Sequence, residues 1–202
     1  MNSPTFPAES PYVVGVGGTD WSGGVSTPVA WAASGGGFSW RYPVPKYQAA
    51  AVSAYLASTT PPPNSAFNRS NRAYPDVAAL ATNVPIVFSG SLSAAAGTSC
   101  SAPEFSGLMS LLNDVRMNAG LAPLGFVLPA FYALASKPQI YSQVFYDMSQ
   151  GNSDCDSNGE CCNEGTGFQA AVGWDPTTGL GQAIFTGLQT QLGTNEFLKM
   201  FQ

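Results

Sequence analysis

The sequence predicts an α/β fold in which a parallel sheet carries helices on its faces. Short apolar runs bounded by glycine and proline alternate along the chain with longer segments whose apolar residues recur at helical spacing, and that alternation is the signature of strands joined by crossover helices. The composition agrees. With 45% apolar and only 9% charged residues, 202 residues suffice for one packed domain spanning 1–202. The 22 glycines and 16 prolines call for many tight connections. In such folds active sites gather at the carboxyl ends of the parallel strands.

The elements follow in order. PYVVGVGGT (11–19) is a β-branched run closed by two glycines and predicts a buried strand entering a turn. A Gly/Ser-rich stretch follows and ends in SGGG (34–37), a backbone with so little side-chain cover that a ligand could approach it closely; Ser34, Gly35 and Gly36 are candidate substrate-binding positions. An ordinary solvent loop explains the same composition. PKYQAAAVSAYLAS (45–58) places Tyr47, Ala51, Val52, Tyr55 and Leu56 on one helical face, and the triple proline 61–63 stops that helix. DVAAL (76–80) and VPIVFSG (84–90) predict short strands, the second weakened by Pro85. Residues 102–118 are apolar nearly all round, which predicts a buried helix with Pro103 in its first turn. Helices are expected at 129–136 and 182–192, with a Cys- and Gly-rich loop at 150–175 between them.

Charge and targeting signals narrow the function. Seven basic against twelve acidic residues give a net charge of -5 and a pI near 4.4, with no Lys/Arg cluster to line a phosphate backbone, so nucleic acid is excluded as a partner. So low a charge density tolerates an acidic compartment. No apolar run reaches the roughly 18 residues that cross a bilayer, and residues 1–20 have none of the regions of a signal peptide. Yet Cys155, Cys161 and Cys162 crowd into one polar loop and Asn68-Arg69-Ser70 is a glycosylation sequon, both features of an oxidising secretory compartment.

GTSCSAPEFSG (97–107) contains the candidate nucleophile. Ser99, just ahead of a helix, sits among free backbone N–H groups at the positive end of the helix dipole, where an oxyanion is stabilised. A plain helix cap is the simpler role for such a serine. The chain contains no histidine, so the usual base for a serine nucleophile is missing.

FPAESPYVVGVGGT (6–19), SGGGFSWRYPVPKYQ (34–48), FNRSNRAYPDVAAL (67–80), GTSCSAPEFSGLMSLLN (97–113), DMSQG (147–151) and VGWDPTTGLG (172–181) occur in register. Together they resemble the sedolisins, the serine-carboxyl peptidases, and within them the lysosomal tripeptidyl-peptidase branch most of all. The resemblance runs essentially end to end. It implies a subtilisin-like parallel sheet with helices on both faces, of which this chain is the C-terminal portion, and an acid-acting endopeptidase or tripeptidyl-peptidase that cleaves peptide or protein substrates through Ser99. In the family a glutamate oriented by an aspartate replaces histidine, and another aspartate supports the oxyanion. Those three lie upstream of the FPAESPY motif, and this chain starts five residues before it. Asp20, Asp76 and Glu104 do not occupy the family positions. The expectation is therefore a chain that is inert and poorly folded alone, and that either is a fragment or incomplete gene product or needs a complementary N-terminal chain. The alternative is an inactive, truncated sedolisin-fold protein that binds calcium or peptides. The resemblance also implies a secreted, lysosomal or vacuolar location.

It further implies one calcium ion, held by the carboxylates of Asp147 and Asp175 and the carbonyls of Met148, Ala171 and Gly173, an all-oxygen set suited to a hard cation. A rival for calcium, DCDSNGECCNEG (154–165), begins like an EF-hand loop but carries Gly165 where the bidentate glutamate belongs. A disulfide from Cys155 to Cys161 or Cys162 is the economical pairing, and Cys100 is expected to be a small buried thiol.

Overall fold

A computed structural model of the protein describes residues 6–21, 27–58, 61–63, 65–154 and 167–194. The strands in chain order are β1 (Val16–Asp20), β2 (Val29–Ala30), β3 (Gly37–Pro43), β4 (Asn71–Tyr74), β5 (Val77–Leu80), β6 (Val84–Phe88), β7 (Ser91–Ala95), β8 (Phe145–Tyr146) and β9 (Gln182–Ala183). The helices are α1 (Ala49–Ser58), α2 (Thr98–Asn118), α3 (Leu128–Ala135), α4 (Pro138–Val144) and α5 (Phe185–Leu192). A five-stranded sheet runs in the order β2-β1-β5-β9-β8. Its three central strands are parallel, as expected, and the short edge strands β2 and β8 are antiparallel to their neighbours. The antiparallel pair β3–β4 and the hairpin β6–β7 stand apart from it.

Only the second half of the 11–19 run enters the sheet. Tyr12 and Val13 are exposed in a turn, and pairing starts at Val16, opposite Val77. The first helix starts at Ala49 rather than 45 because the Gln48 amide closes a turn on Pro45 O at 3.0 Å, while the Gln48 side chain is drawn inward to the backbone of Ala73. Val52 and Tyr55 form its buried stripe. The 182–192 helix begins late for a similar reason: Gln182 and Ala183 are taken up as β9.

Helix α2 corrects two expectations. It starts at Thr98, so Pro103 lies inside the helix, not in its first turn. Having no N–H, Pro103 leaves the carbonyl of Ser99, four residues back, without its helical donor. Nor is the helix buried all round. Ser101, Phe105, Leu112 and Arg116 are buried along one stripe, whereas Leu111 and Met117 are 60% and 54% exposed. The reason is that α2 packs on one face of β1 and β5, with α5 along its flank, and a helix resting on one surface needs a single apolar stripe.

Phe131, Phe145, Leu112, Leu128 and Leu188, all essentially inaccessible, form the centre of the core between α2, α3, α4 and α5. Tyr55 and Trp174 meet edge to face at 5.9 Å where α1 joins it. The β6–β7 hairpin is different. Ser89 (φ 50°) and Gly90 (φ 79°) make the two-residue turn that suits the strand twist, and Pro85 sits opposite Ala94 in a two-stranded ladder whose outer edges are open to it. Val87, Phe88 and Leu92 are 75%, 70% and 80% exposed on this hairpin, an unusual density of bare apolar surface.

Close backbone packing tests the fold directly. A Cβ at Gly36 would fall on the carbonyl oxygen of Pro176. Gly36→Ala is expected to cost roughly 1–3 kcal/mol through backbone displacement, measured as a lower urea midpoint at unchanged slope.

Candidate active site and cation site

Ser99 is the second residue of α2 and its side chain is exposed. The turn that delivers it depends on Gly97, whose backbone (φ 142°, ψ 154°) is in a region that disfavours side chains. Gly97 N–H donates to Ala81 O at 2.7 Å, one residue past the end of β5, and Ser101 Oγ donates to Leu80 O at 3.1 Å. The start of α2 is thereby pinned at the carboxyl end of the parallel strands, where the fold class places active sites. The simple capping role is not taken up: Gly97 is the cap residue and no side chain caps the helix. Among the described residues the Ser99 hydroxyl has no hydrogen-bond partner. A free hydroxyl at the positive end of a 21-residue helix is a sound nucleophile position.

Of the three carboxylates that lie outside the family positions, Asp76 and Asp20 are engaged elsewhere. Asp76 precedes β5, at the opposite end of that strand from Ser99, and is fully buried. It accepts hydrogen bonds from Gly15 N–H (2.8 Å), Arg72 Nη2 (2.5 Å) and the Tyr132 hydroxyl (3.0 Å). Burial pushes its carboxyl upward against the pull of Arg72 and these donors. Asp20 ends β1 and accepts a 2.5 Å hydrogen bond from the Thr82 hydroxyl. Glu104, on α2, is raised by partial burial and lowered by a backbone hydrogen bond at Leu80.

Residues 34–36 lie on the other face of β1. Adjacent residues of a strand point to opposite faces: a Cβ at Gly18 would touch Thr98 of α2 at 3.4 Å, whereas one at Gly17 would touch Ser34 Oγ at 3.3 Å. Ser34 is buried, and its Oγ accepts Gly18 N–H at 2.8 Å. Gly36 is buried against Pro176, and of the three Gly35 alone is open, with nothing within 4 Å of its Cβ position. The structure does not bring this segment together with Ser99.

It does bring Asp147 and Asp175 together. Strand β8 delivers Asp147, and the turn 171–179 folds over it. Gly173 N–H donates to Asp147 Oδ2 at 2.7 Å. Ala171 N–H donates to Asp175 Oδ2 at 3.0 Å, while Asp175 Oδ1 accepts the backbone amides of Thr177 and Thr178 at 2.9 and 2.8 Å. Met148 is buried beside them and Gly173 (φ 86°) has open space at its Cβ position. Burial pushes Asp175 up to about 6 and raises Asp147 as well. Asp147 Oδ1 is buried and has no hydrogen-bond partner among the described residues. The Thr177 and Thr178 hydroxyls also donate to Asp175 Oδ1, so the orphaned oxygen of Asp147 is the free ligand atom here, of the oxygen type a hard cation takes. Among the described residues no group of three His, Cys, Asp or Glu side chains gathers anywhere, so side-chain clustering alone does not reveal this site.

No family model matches the chain. Tripeptidyl-peptidase 1 of Bos taurus is 44% identical over 195 residues, covering 92% of this chain and 32% of that protein. Physarolisin of Physarum polycephalum is 38% identical over 215 residues, covering 92% of this chain and 36% of that protein. A solved structure, Pseudomonas sedolisin (a serine-carboxyl proteinase) complexed with two molecules of pseudo-iodotyrostatin, superposes with a TM-score of 0.68 at 28% identity over 94% of this chain and 49% of its own. The chain belongs to the sedolisin family. It spans about a third of the length of the curated relatives it matches.

Within this chain, several positioning residues escape a reading of the sequence alone. Tyr141 donates its hydroxyl to Leu180 O at 3.0 Å, and its phenol is raised by burial and by the nearby charge of Asp147. Thr177 and Thr178 fix Asp175, a role their place in DPTT signals through the local turns that aspartate forms. A cleft of about 700 Å³ between α1, α3 and the 172–180 turn, lined by Tyr47, Ala54, Tyr132, Tyr141 and Trp174, lies at the amino-terminal end of β5, where Trp174 Nε1 donates to Pro75 O. It is remote from Ser99. Apart from Asp154, the EF-hand-like loop, with Cys155, Cys161 and Cys162, falls outside the described residues. Cys100 is a free thiol and half-buried, not fully enclosed. Among the described residues no helix is long and apolar enough to cross a membrane.

Proposed function

We propose that this chain carries the nucleophile of an acid-acting serine-type peptidase of peptide or protein substrates, with Ser99 attacking the scissile carbonyl. One observation carries the reading: in a chain 44% identical to tripeptidyl-peptidase 1, an unpartnered serine hydroxyl stands at the start of the core helix, at the carboxyl edge of the parallel strands. The backbone N–H groups of the first turn of α2 support negative charge developing on the substrate oxygen. The proton of Ser99 goes to a carboxylate. That transfer is concerted with attack, because a carboxylate is too weak a base to ionise a hydroxyl beforehand. Asp76 and Asp20 are already engaged and Glu104 lies further along the helix behind Ser99, and the base is assigned to polypeptide that packs on the Ser99 side, where the bare β6–β7 hairpin offers an apolar seat. That polypeptide is either continuous with these 202 residues or a complementary N-terminal chain, and a lysosomal or secreted setting suits the acid chemistry.

Fluorophosphonate labelling of the native material at acidic pH, followed by intact mass and peptide mapping, tests this assignment. A single adduct on Ser99, absent from Ser99→Ala, is the expected result. An adduct on another residue overturns it.

We further propose that one calcium ion is held by Asp147 and Asp175 through their carboxylates and by Met148, Ala171 and Gly173 through their carbonyls. The ion would supply positive charge between two buried carboxylates and tie β8 to the 171–179 turn. At a calcium concentration a hundredfold above Kd, chelation is expected to remove about 2.7 kcal/mol of stability. The readout is a chelator-dependent drop in thermal midpoint that vanishes in Asp147→Asn and Asp175→Asn. An equal drop in those variants counts against the site.

A further inference from the structure

Asn68-Arg69-Ser70 is the only Asn-x-Ser/Thr triplet, with x other than proline, in the 202 residues. The peptidase reading makes no use of it. Its surroundings present the asparagine amide nitrogen to a modifying enzyme. Phe67, immediately before it, is anchored inward, its ring 4.6 Å from that of Phe38 and 5.1 Å from that of Phe168. Asn71 N–H donates to Asn68 O at 3.1 Å and Val44 N–H donates to Ser70 O at 3.0 Å, so the chain makes a tight turn before pairing as β4. Asn68, Arg69 and Ser70 are all exposed on that turn.

The side-chain hydrogen bond fixes the orientation. Asn68 Oδ1 accepts Ser70 N–H at 3.0 Å, which occupies the carbonyl end of the amide and leaves Nδ2 directed to solvent. Among the described residues neither Asn68 Nδ2 nor the Ser70 hydroxyl has a protein partner. A sugar on Nδ2 would stand at the rim of a shallow depression lined by Val44, Leu56 and Arg69. It would meet no packed neighbour.

We propose that Asn68 is an N-glycosylation site. This rests on the reading that the chain passes through an oxidising secretory compartment, but not on Ser99 being a nucleophile. The donor is a polyprenyl-pyrophosphate-linked oligosaccharide. The bond between its anomeric carbon and the pyrophosphate oxygen breaks, a bond from that carbon to Asn68 Nδ2 forms, Nδ2 loses one proton, and the polyprenyl pyrophosphate leaves. The product is a bulky, solubilising surface group, placed on a chain whose exposed apolar residues include Trp40 on neighbouring β3, at 60% exposure.

The test is expression of the full chain behind a cleavable leader in a eukaryotic secretory host, with retained and secreted material pooled and treated with peptide:N-glycosidase F. The expected result is complete collapse of one glycosylated band, with Asn68 converted to aspartate in the recovered peptide. Asn68→Gln and Ser70→Ala should lose that band entirely, and Ser70→Thr should keep it. Recovery of the wild-type Asn68 peptide unmodified overturns the proposal, as does a glycan that survives Asn68→Gln. Ser99→Ala is expected to be glycosylated like wild type, so failure of the peptidase reading and failure of this one give different results.

Discussion

Ser99→Ala is expected to lower acid-pH peptide hydrolysis by a factor on the order of 10⁴ to 10⁶, the loss typical when the nucleophile of a serine peptidase is deleted. The structural cost of that change is small. Ser99 is exposed, caps no helix and has no hydrogen-bond partner among the described residues, so nothing in the packing depends on its hydroxyl. The thermal midpoint should therefore stay within a degree or two of wild type, consistent with the near-neutral effect of surface substitutions. Initial rates on an unstructured peptide, measured on the assembly that contains this chain, check the first half of the expectation. A variant that keeps its rate removes Ser99 from the mechanism. A variant that loses its rate together with its fold makes the serine structural.

Asp76→Asn is the largest expected loss of stability. The carboxylate is inaccessible, bonded to Arg72 at 2.5 Å, to Gly15 N–H and to the Tyr132 hydroxyl, and Arg72 is itself fully buried, its Nη1 also donating to Ala73 O. Removing the negative charge leaves a guanidinium uncompensated in the interior, a change that costs about 3–5 kcal/mol. For a domain of ordinary stability that is a large part of the total. The double variant Arg72→Met with Asp76→Leu removes both charges and should recover part of the loss, since the penalty lies in the orphaned partner. Equilibrium urea unfolding of the three proteins decides the matter. Equal destabilisation of single and double variants would mean that the geometry of the hydrogen bonds, not the charge balance, is what β1 and β5 require.

The sequence announces its strands where the pattern is local. The β-branched run at Val16 and the VAAL run at Val77 pair in register, and the apolar spacing that predicts α2, α3 and α5 is present in all three. Residues such as GFSWRYP and NRAY do not announce β3 and β4, because a two-stranded ladder over an aromatic cluster needs no alternation along either strand; Phe38 is buried by Phe67 and Phe168, which are distant in sequence. Helix α2 is less buried than its apolar residues imply for the same kind of reason. Apolar residues around a helix show what it can bury, while the number of surfaces packed against it settles what it does bury, and Leu111 and Met117 face none.

What the sequence by itself determined is local chemistry: a serine at a glycine-led helix start, two aspartates followed by turn-forming residues, one sequon, and six motifs in an order that leads to the sedolisin family. Tertiary structure alone decided which of these meet. Asp147 and Asp175 come together because the 171–179 turn folds back over β8, whereas Ser34–Gly36 and Ser99 are separated by the sheet, since Gly17 and Gly18 point to opposite faces of one strand. The physical reason is that side-chain type and short spacing are set by the chain's own covalent order, whereas proximity across tens of residues is set by how strands register and which face each residue turns toward.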